Sequence, residues 1–159
     1  MRAKKVKNDT DRLRPNRREL RHSIVFFAVD SSKSIDLDPF GFLAACHPRV
    51  RARLMVYLLA VADAPPLRFA GGGYWQAMHG EMTGWFEVRT DGPDKFHYRL
   101  FCRLDYEALN FDEPLLVVIA GMKKKFRTTI SERDYVRIKA LGERYFDNNP
   151  RMLRVAALP

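Results

Sequence analysis

The chain has 159 residues, 47% of them apolar, with a formal charge of +9 and a pI near 9.8. That length fits one domain with its own core, and the apolar fraction excludes a globally disordered chain. The charge favours a polyanionic partner, most often nucleic acid.

Residues 1–22 hold nine Lys or Arg and three acids, a net of +6 that leaves +3 for everything else. This opening has almost no apolar periodicity and contains Pro15, so it reads as a flexible basic arm. Two roles are open for it: contact with RNA or DNA, or a solvated tail that aids solubility. It lacks the apolar core and small-residue cleavage site of a secretory signal. No run of the chain approaches the roughly 18 apolar residues of a membrane span. Cys46 and Cys102 stand far apart in apolar surroundings, as core residues of a reducing cytosol do. The expectation is a cytoplasmic protein with no membrane partner.

His22 to Val29 is rich in β-formers and predicts a first strand. Asp38-Pro39 supplies an N-cap and a proline at the first helical position, predicting a short helix to Cys46. His47-Pro48 breaks it and starts a second helix to about Ala62, with Val50, Leu54, Leu58 and Val61 as its apolar stripe. Pro65-Pro66 ends it. Residues 67–84 contain Gly71-Gly72-Gly73 but lack the lysine and Ser/Thr of a phosphate-binding loop, so they read as a flexible connection. Trp85–Arg89 and Phe96–Leu104 predict a hairpin around Asp91-Gly92-Pro93-Asp94, and Leu115–Met122 a buried strand that runs out into Lys123, Lys124 and Lys125. Ser131 opens a last helix to about Phe146, with Tyr135, Ile138, Leu141, Gly142 and Tyr145 along its inner side. The order is β-α-α-β-β-β-α, an α+β domain over 23–147 with helices packed on one antiparallel-rich sheet and a tail over 148–159.

Alternation sorts the hairpin into two faces. Phe86, Val88, Tyr98, Leu100, Cys102 and Leu104 turn towards the helices. Trp85, Glu87, Arg89, His97, Arg99, Phe101 and Arg103 turn the other way. A symmetric turn near Gly92-Pro93 would set Glu87 opposite Arg99 and Arg89 opposite His97, with Cβ atoms about 5 Å apart. Such a wall suits RNA cleavage through the 2′-hydroxyl, which needs a proton acceptor, cations on the phosphorane and a proton donor for the leaving oxygen. Glu87 or His97 can be the base. Arg89, Arg99, Lys123 and Lys124 can hold the phosphate, Arg99 with a bidentate grip. His97 or a lysine can serve the leaving group. Trp85 and Phe101 offer stacking faces to bases, and Lys125 and Arg127 further backbone contacts. The alternative reading is an ordinary cross-strand Glu87–Arg99 ion pair, with Trp85 and Phe101 covering the sheet. His22, His47 and His79 lack metal-ligand spacing, so no metal or other cofactor is expected.

Three segments resemble the RelE/ParE toxin superfamily, in particular its HigB-like, phage-related branch. Gly80-x-x-x-Gly84-Trp85-Phe86-Glu87-Val88-Arg89 is similar to its segment of a glycine, a small gap and then G-[LW]-[YW]-E-[LV]-R. His97-Tyr98-Arg99-Leu100-Phe101 is similar to its Y-R-hydrophobic strand, and Ile119 to Thr129 to its apolar strand ending in a basic pair and threonine. The resemblance covers about residues 23–146. It implies a RelE-like fold and a metal-free endoribonuclease that cuts mRNA on the ribosome, arrests growth and is held by a cognate antitoxin. The expected antitoxin is a helix-turn-helix protein whose complex can contact DNA. On this chain Arg99 matches the arginine that grips the scissile phosphate, Glu87 and Arg89 the preceding-strand positions, and Lys123 and Lys124 the basic pair. The chain departs from the family where such enzymes often carry a functional tyrosine, or a histidine–tyrosine pair, near the C-terminal end: the block after Lys125 is Phe126-Arg127-Thr128-Thr129, and the nearest tyrosine, Tyr135, already lies in the last helix. The same resemblance admits a ParE-like gyrase inhibitor, or a non-catalytic nucleic-acid-binding or phage regulatory protein.

Overall fold

The computed structural model describes residues 21–30, 32–63 and 73–154, so most of the basic arm, Pro65-Pro66 and Gly71-Gly72 lie outside the described residues. The arm's last two residues are already held. Arg21 pairs with Asp63 at 2.9 Å, and the buried His22 donates its backbone N–H to Ala62.

Strand β1 (Ser23–Phe26) leads through a 3-10 turn (Ser32–Leu37) into α1 (Pro39–Ala45) and α2 (Pro48–Asp63). The Asp38 Oδ2 accepts the Gly41 N–H at 2.9 Å, satisfying a donor that the first turn leaves unpaired. Strands β2 (Trp75–Ala77), β3 (Phe86–Asp91), β4 (Phe96–Asp105) and β5 (Leu115–Lys125) follow, then α3 (Glu132–Asp147). Ser131 Oγ accepts the Asp134 N–H at 3.1 Å, and Glu132 and Asp134 place negative charge in the first turn of α3.

The sheet order is β1-β5-β4-β3-β2, with β1 parallel to β5 and the other pairings antiparallel. The chain is thus an α+β domain on one mixed, antiparallel-rich sheet. Because β1 and β2 are opposite edges, α1 and α2 carry the chain across one face. Leu43, Val50, Leu54, Leu58 and Val61 pack there with Phe86, Val88, Leu100, Cys102 and Val118. Both Cys46 and Cys102 are buried and free. On the other face, Ile138, Leu141 and Tyr145 of α3 pack with Trp85, Phe101, Val117 and Ile119. Glycine permits the closest approach on each side. A Cβ on Gly121 would lie 2.4 Å from the Phe42 ring, and one on Gly142 would lie 2.4 Å from the Trp85 indole.

Four features differ from the sequence-based expectation. A strand, β2, and a 3-10 turn (Gly80–Met82) stand in the stretch read as a flexible connection. Strand β5 continues through Lys125 because Phe96, His97 and Tyr98 pair with Lys125, Lys124 and Lys123, so the lysines belong to the sheet. The helices occupy both faces. Finally, the expected tail is part of the domain as far as it is described. Leu153 bridges Phe27 in antiparallel fashion, and Arg154 donates its N–H to Phe26. The Arg151 guanidinium, nearly buried, donates to Asp105 at 2.8 Å and to the Phe146 and Asn148 carbonyls at 2.9 Å each. No helix among the described residues is long and apolar enough to cross a membrane.

Candidate active site

The hairpin faces follow the alternation, but the pairing does not centre on Gly92-Pro93. Glu87 lies opposite Phe101, Arg89 opposite Arg99, and Asp91 opposite His97. The turn closes later in sequence: Lys95 takes a left-handed φ of 63°, and the Gly92 N–H bonds the Phe96 carbonyl at 2.9 Å. Each partner moves by an even number of places, so faces are kept while neighbours change. Glu87 and Arg99 still meet diagonally. The Arg99 Nη1 donates to Glu87 Oε2 at 3.0 Å, and an Arg89 nitrogen lies 3.9 Å from Oε1.

These three side chains floor a cleft of about 730 Å³ between the β2–β3–β4 end of the sheet and the start of α3. Tyr135, Val136 and Lys139 of α3 form one wall, and Gln76, Met78, His79 and Glu81 form the other. Arg99 is mostly covered, and its Nε is buried without a hydrogen-bond partner among the described residues. That Nε has no exposed surface, so a ligand in the cleft would meet the remaining atoms of Arg99 and Arg89 beside Glu87, Glu81 and Glu132. Burial pushes the Tyr135 hydroxyl above its ordinary value, the Glu87 charge pushes it the same way, and Arg99 opposes. Tyr135 is therefore a weaker acid than a free tyrosine and stays a neutral hydroxyl at physiological pH.

The other expected site residues are placed elsewhere. His97 stands on the same face as Arg99, one strand step of about 7 Å away. Its Nδ1 lies 2.5 Å from Asp91 Oδ1, and its ring stacks on Phe126. It does not line the cleft. Lys124 points towards α3 and pairs with Asp134 at 3.1 Å. Lys123 lies on the opposite face, its ammonium 4.7 Å over the Phe96 ring, and Lys125 shares that face. Arg127 is exposed at a left-handed turn just past β5. Trp85 and Phe101 are 3% and 0% exposed, packed beneath α3, and offer no stacking face to a base. α3 covers that part of the wall, which is the physical reason.

Tyr135 and Lys139 were not named for the site from sequence. The available signal was the α3 stripe containing Tyr135, with Lys139 one turn later. The β2 residues gave no signal, because three residues among glycines are too few for a period. Among the described residues, no group of three or more His, Cys, Asp or Glu side chains is arranged to hold a metal. Comparison with known proteins gives no match to any family model, curated protein or solved structure.

Proposed function

We propose that the protein is an endoribonuclease toxin of the RelE/HigB type, cutting mRNA on the ribosome by 2′-hydroxyl attack and restrained by a cognate antitoxin. One observation supports this reading: Arg99 and Arg89 gathered around Glu87 on the floor of an open cleft, with Tyr135 in its wall. In the reaction, Glu87 accepts the 2′-hydroxyl proton as that oxygen attacks phosphorus. Arg99 and Arg89 hold the non-bridging oxygens while charge builds on the phosphorane. The P–O5′ bond breaks, Tyr135 gives its proton to the departing oxygen, and a cyclic phosphate remains. Protein groups supply every proton and charge, so the step needs no cofactor. His97, engaged by Asp91 and outside the cleft, has no place in this scheme.

That placement of His97 favours a second reading, a protein of the same architecture that binds nucleic acid without cutting it. Induced expression in a bacterial host, with primer extension on abundant mRNAs, separates the two. The nuclease gives growth arrest with codon-phased cuts, both lost in Arg99→Ala. Arrest without cuts would move the reading to a gyrase inhibitor, and no arrest to the binding protein.

A further inference from the structure

At one pole of the molecule, the β3–β4 turn, the end of β5 and the start of α2 come together. Arg53 of α2 fixes this junction, donating to Thr90 Oγ1 and to the Asp91 carbonyl at 3.2 Å each. His47, Arg49 and Arg53 line a hollow of about 640 Å³ against Asp91, Gly92 and Pro93. Around the tip, Lys95, Lys123, Lys125 and Arg127 add their charges. Among the described residues, none of these lysines and arginines lies within ion-pair distance of a carboxylate. Two acids of the pole, Asp91 and Asp94, are already engaged by His97 and by the Tyr98 hydroxyl at 2.7 Å. Elsewhere, Lys124, Arg137, Arg144 and Arg151 are each paired with an aspartate. Asp94 still offsets part of this charge through Lys123, but the excess of cations at the pole favours a polyanion.

An aromatic step lies beside this pole, one strand step along β4 from Arg99. Phe126 is 36% exposed and stacks on His97 with ring centroids 4.5 Å apart and planes at 28°. The backbone holds it there: the Phe126 N–H bonds the Lys95 carbonyl at 2.9 Å, and Thr128 closes the turn on the Lys125 carbonyl. A fixed, exposed ring amid unpaired cations is the arrangement that single-stranded nucleic acid uses, bases stacking and phosphates following the charge.

We propose that this pole is a second RNA-binding surface. It takes the single strand flanking the cleft, with one base stacked on Phe126 and the backbone passing over Lys125 and Lys95 towards Arg49 and Arg53. The choice of partner rests on reading the cleft as an RNA site. An acidic protein, which could also cover the Phe126 ring, is the competing occupant, and the measurement below separates the two.

The test uses the full chain and a twelve-nucleotide 2′-O-methyl RNA, which lacks the attacking hydroxyl and stays uncut, carrying one 2-aminopurine. Binding is followed by anisotropy across a KCl series. Arg49→Gln/Arg53→Gln/Lys125→Gln should lower the salt slope by about 2, at roughly 0.7 per lost phosphate contact. Phe126→Ala should remove 2-aminopurine quenching and weaken binding about 5- to 150-fold, the range for one stacked base. Unchanged slope and quenching in these variants would overturn the proposal. So would poly-glutamate competing as well as RNA and indifferent to Phe126, which would assign the pole to an acidic protein. Arg99→Ala, assayed alongside on an mRNA being translated in a cell-free extract, isolates the cleft. If wild type binds as expected but cuts nothing, the nuclease reading fails and the surface stands. If Arg99→Ala abolishes cutting while the pole variants bind normally, the reverse holds.

Discussion

Strand β4 carries two arginine–carboxylate pairs near its two ends, and they are built for opposite purposes. Asp105–Arg151 is closed. Its side chains are 2% and 5% exposed, and the Glu107 N–H and Tyr145 hydroxyl complete the carboxylate's partners. Burial by itself would raise the Asp105 carboxyl, but bonds from Arg151, Glu107 and Tyr145 outweigh it and hold the group below the ordinary range. Glu87–Arg99 is open by comparison. Its arginine is 18% exposed, one nitrogen lacks a partner among the described residues, and a cleft stands above it. A saturated buried pair fixes geometry, whereas an unsaturated one at a cleft is ready for a third group.

Removing Arg151 gives the sharpest contrast. Arg151→Met leaves a buried carboxylate uncompensated and should cost about 3–5 kcal/mol in urea unfolding at pH 7. It should also free the C-terminal segment from the Phe26–Phe27 edge, read by amide exchange at Arg154. Arg99→Ala should invert that profile. Its unfolding cost should be smaller, about 1–3 kcal/mol for a partly orphaned Glu87, while RNA cutting should fall about 10²- to 10³-fold through loss of a transition-state donor. Equal stability losses in the two variants would erase the distinction.

Two smaller effects sharpen it. Gly142→Val pushes two methyl groups against the Trp85 indole and should destabilise by about 1–3 kcal/mol, measured by denaturant midpoint. Acid titration follows from the depressed Asp105. Its contribution is fully present above the ordinary aspartate value of about 4 and is lost as pH falls below that, through the folded-state value. Wild type should therefore lose stability below about pH 4, and Arg151→Met should show a weaker loss over that window.

Local chemistry was legible in the sequence wherever one rule decided it. The Asp38 and Ser131 caps, the α2 stripe and the two faces of the hairpin all follow from periodicity and capping. The partners across the hairpin were not legible, because a left-handed Lys95 moved the turn while preserving every face. Trp85 and Glu87 show why the site was only half readable. They alternate onto the same face, yet one lies under α3 at Gly142 and the other opens to the cleft. Where a helix stops covering a sheet is a tertiary fact, and no spacing in β3 encodes it.

The parallel pairing of β1 with β5 sets an order of events in the growing chain. Phe26 meets Val118 across 92 residues, the difference of their numbers. At synthesis rates of about 5–20 residues per second, β1 waits roughly 5–18 seconds for its neighbour. Tyr135 and Lys139 emerge later still, so the wall they give the cleft forms after the five strands have been made. A ribosome making this protein has passed the codon for Lys139 before the nascent chain can close that pocket.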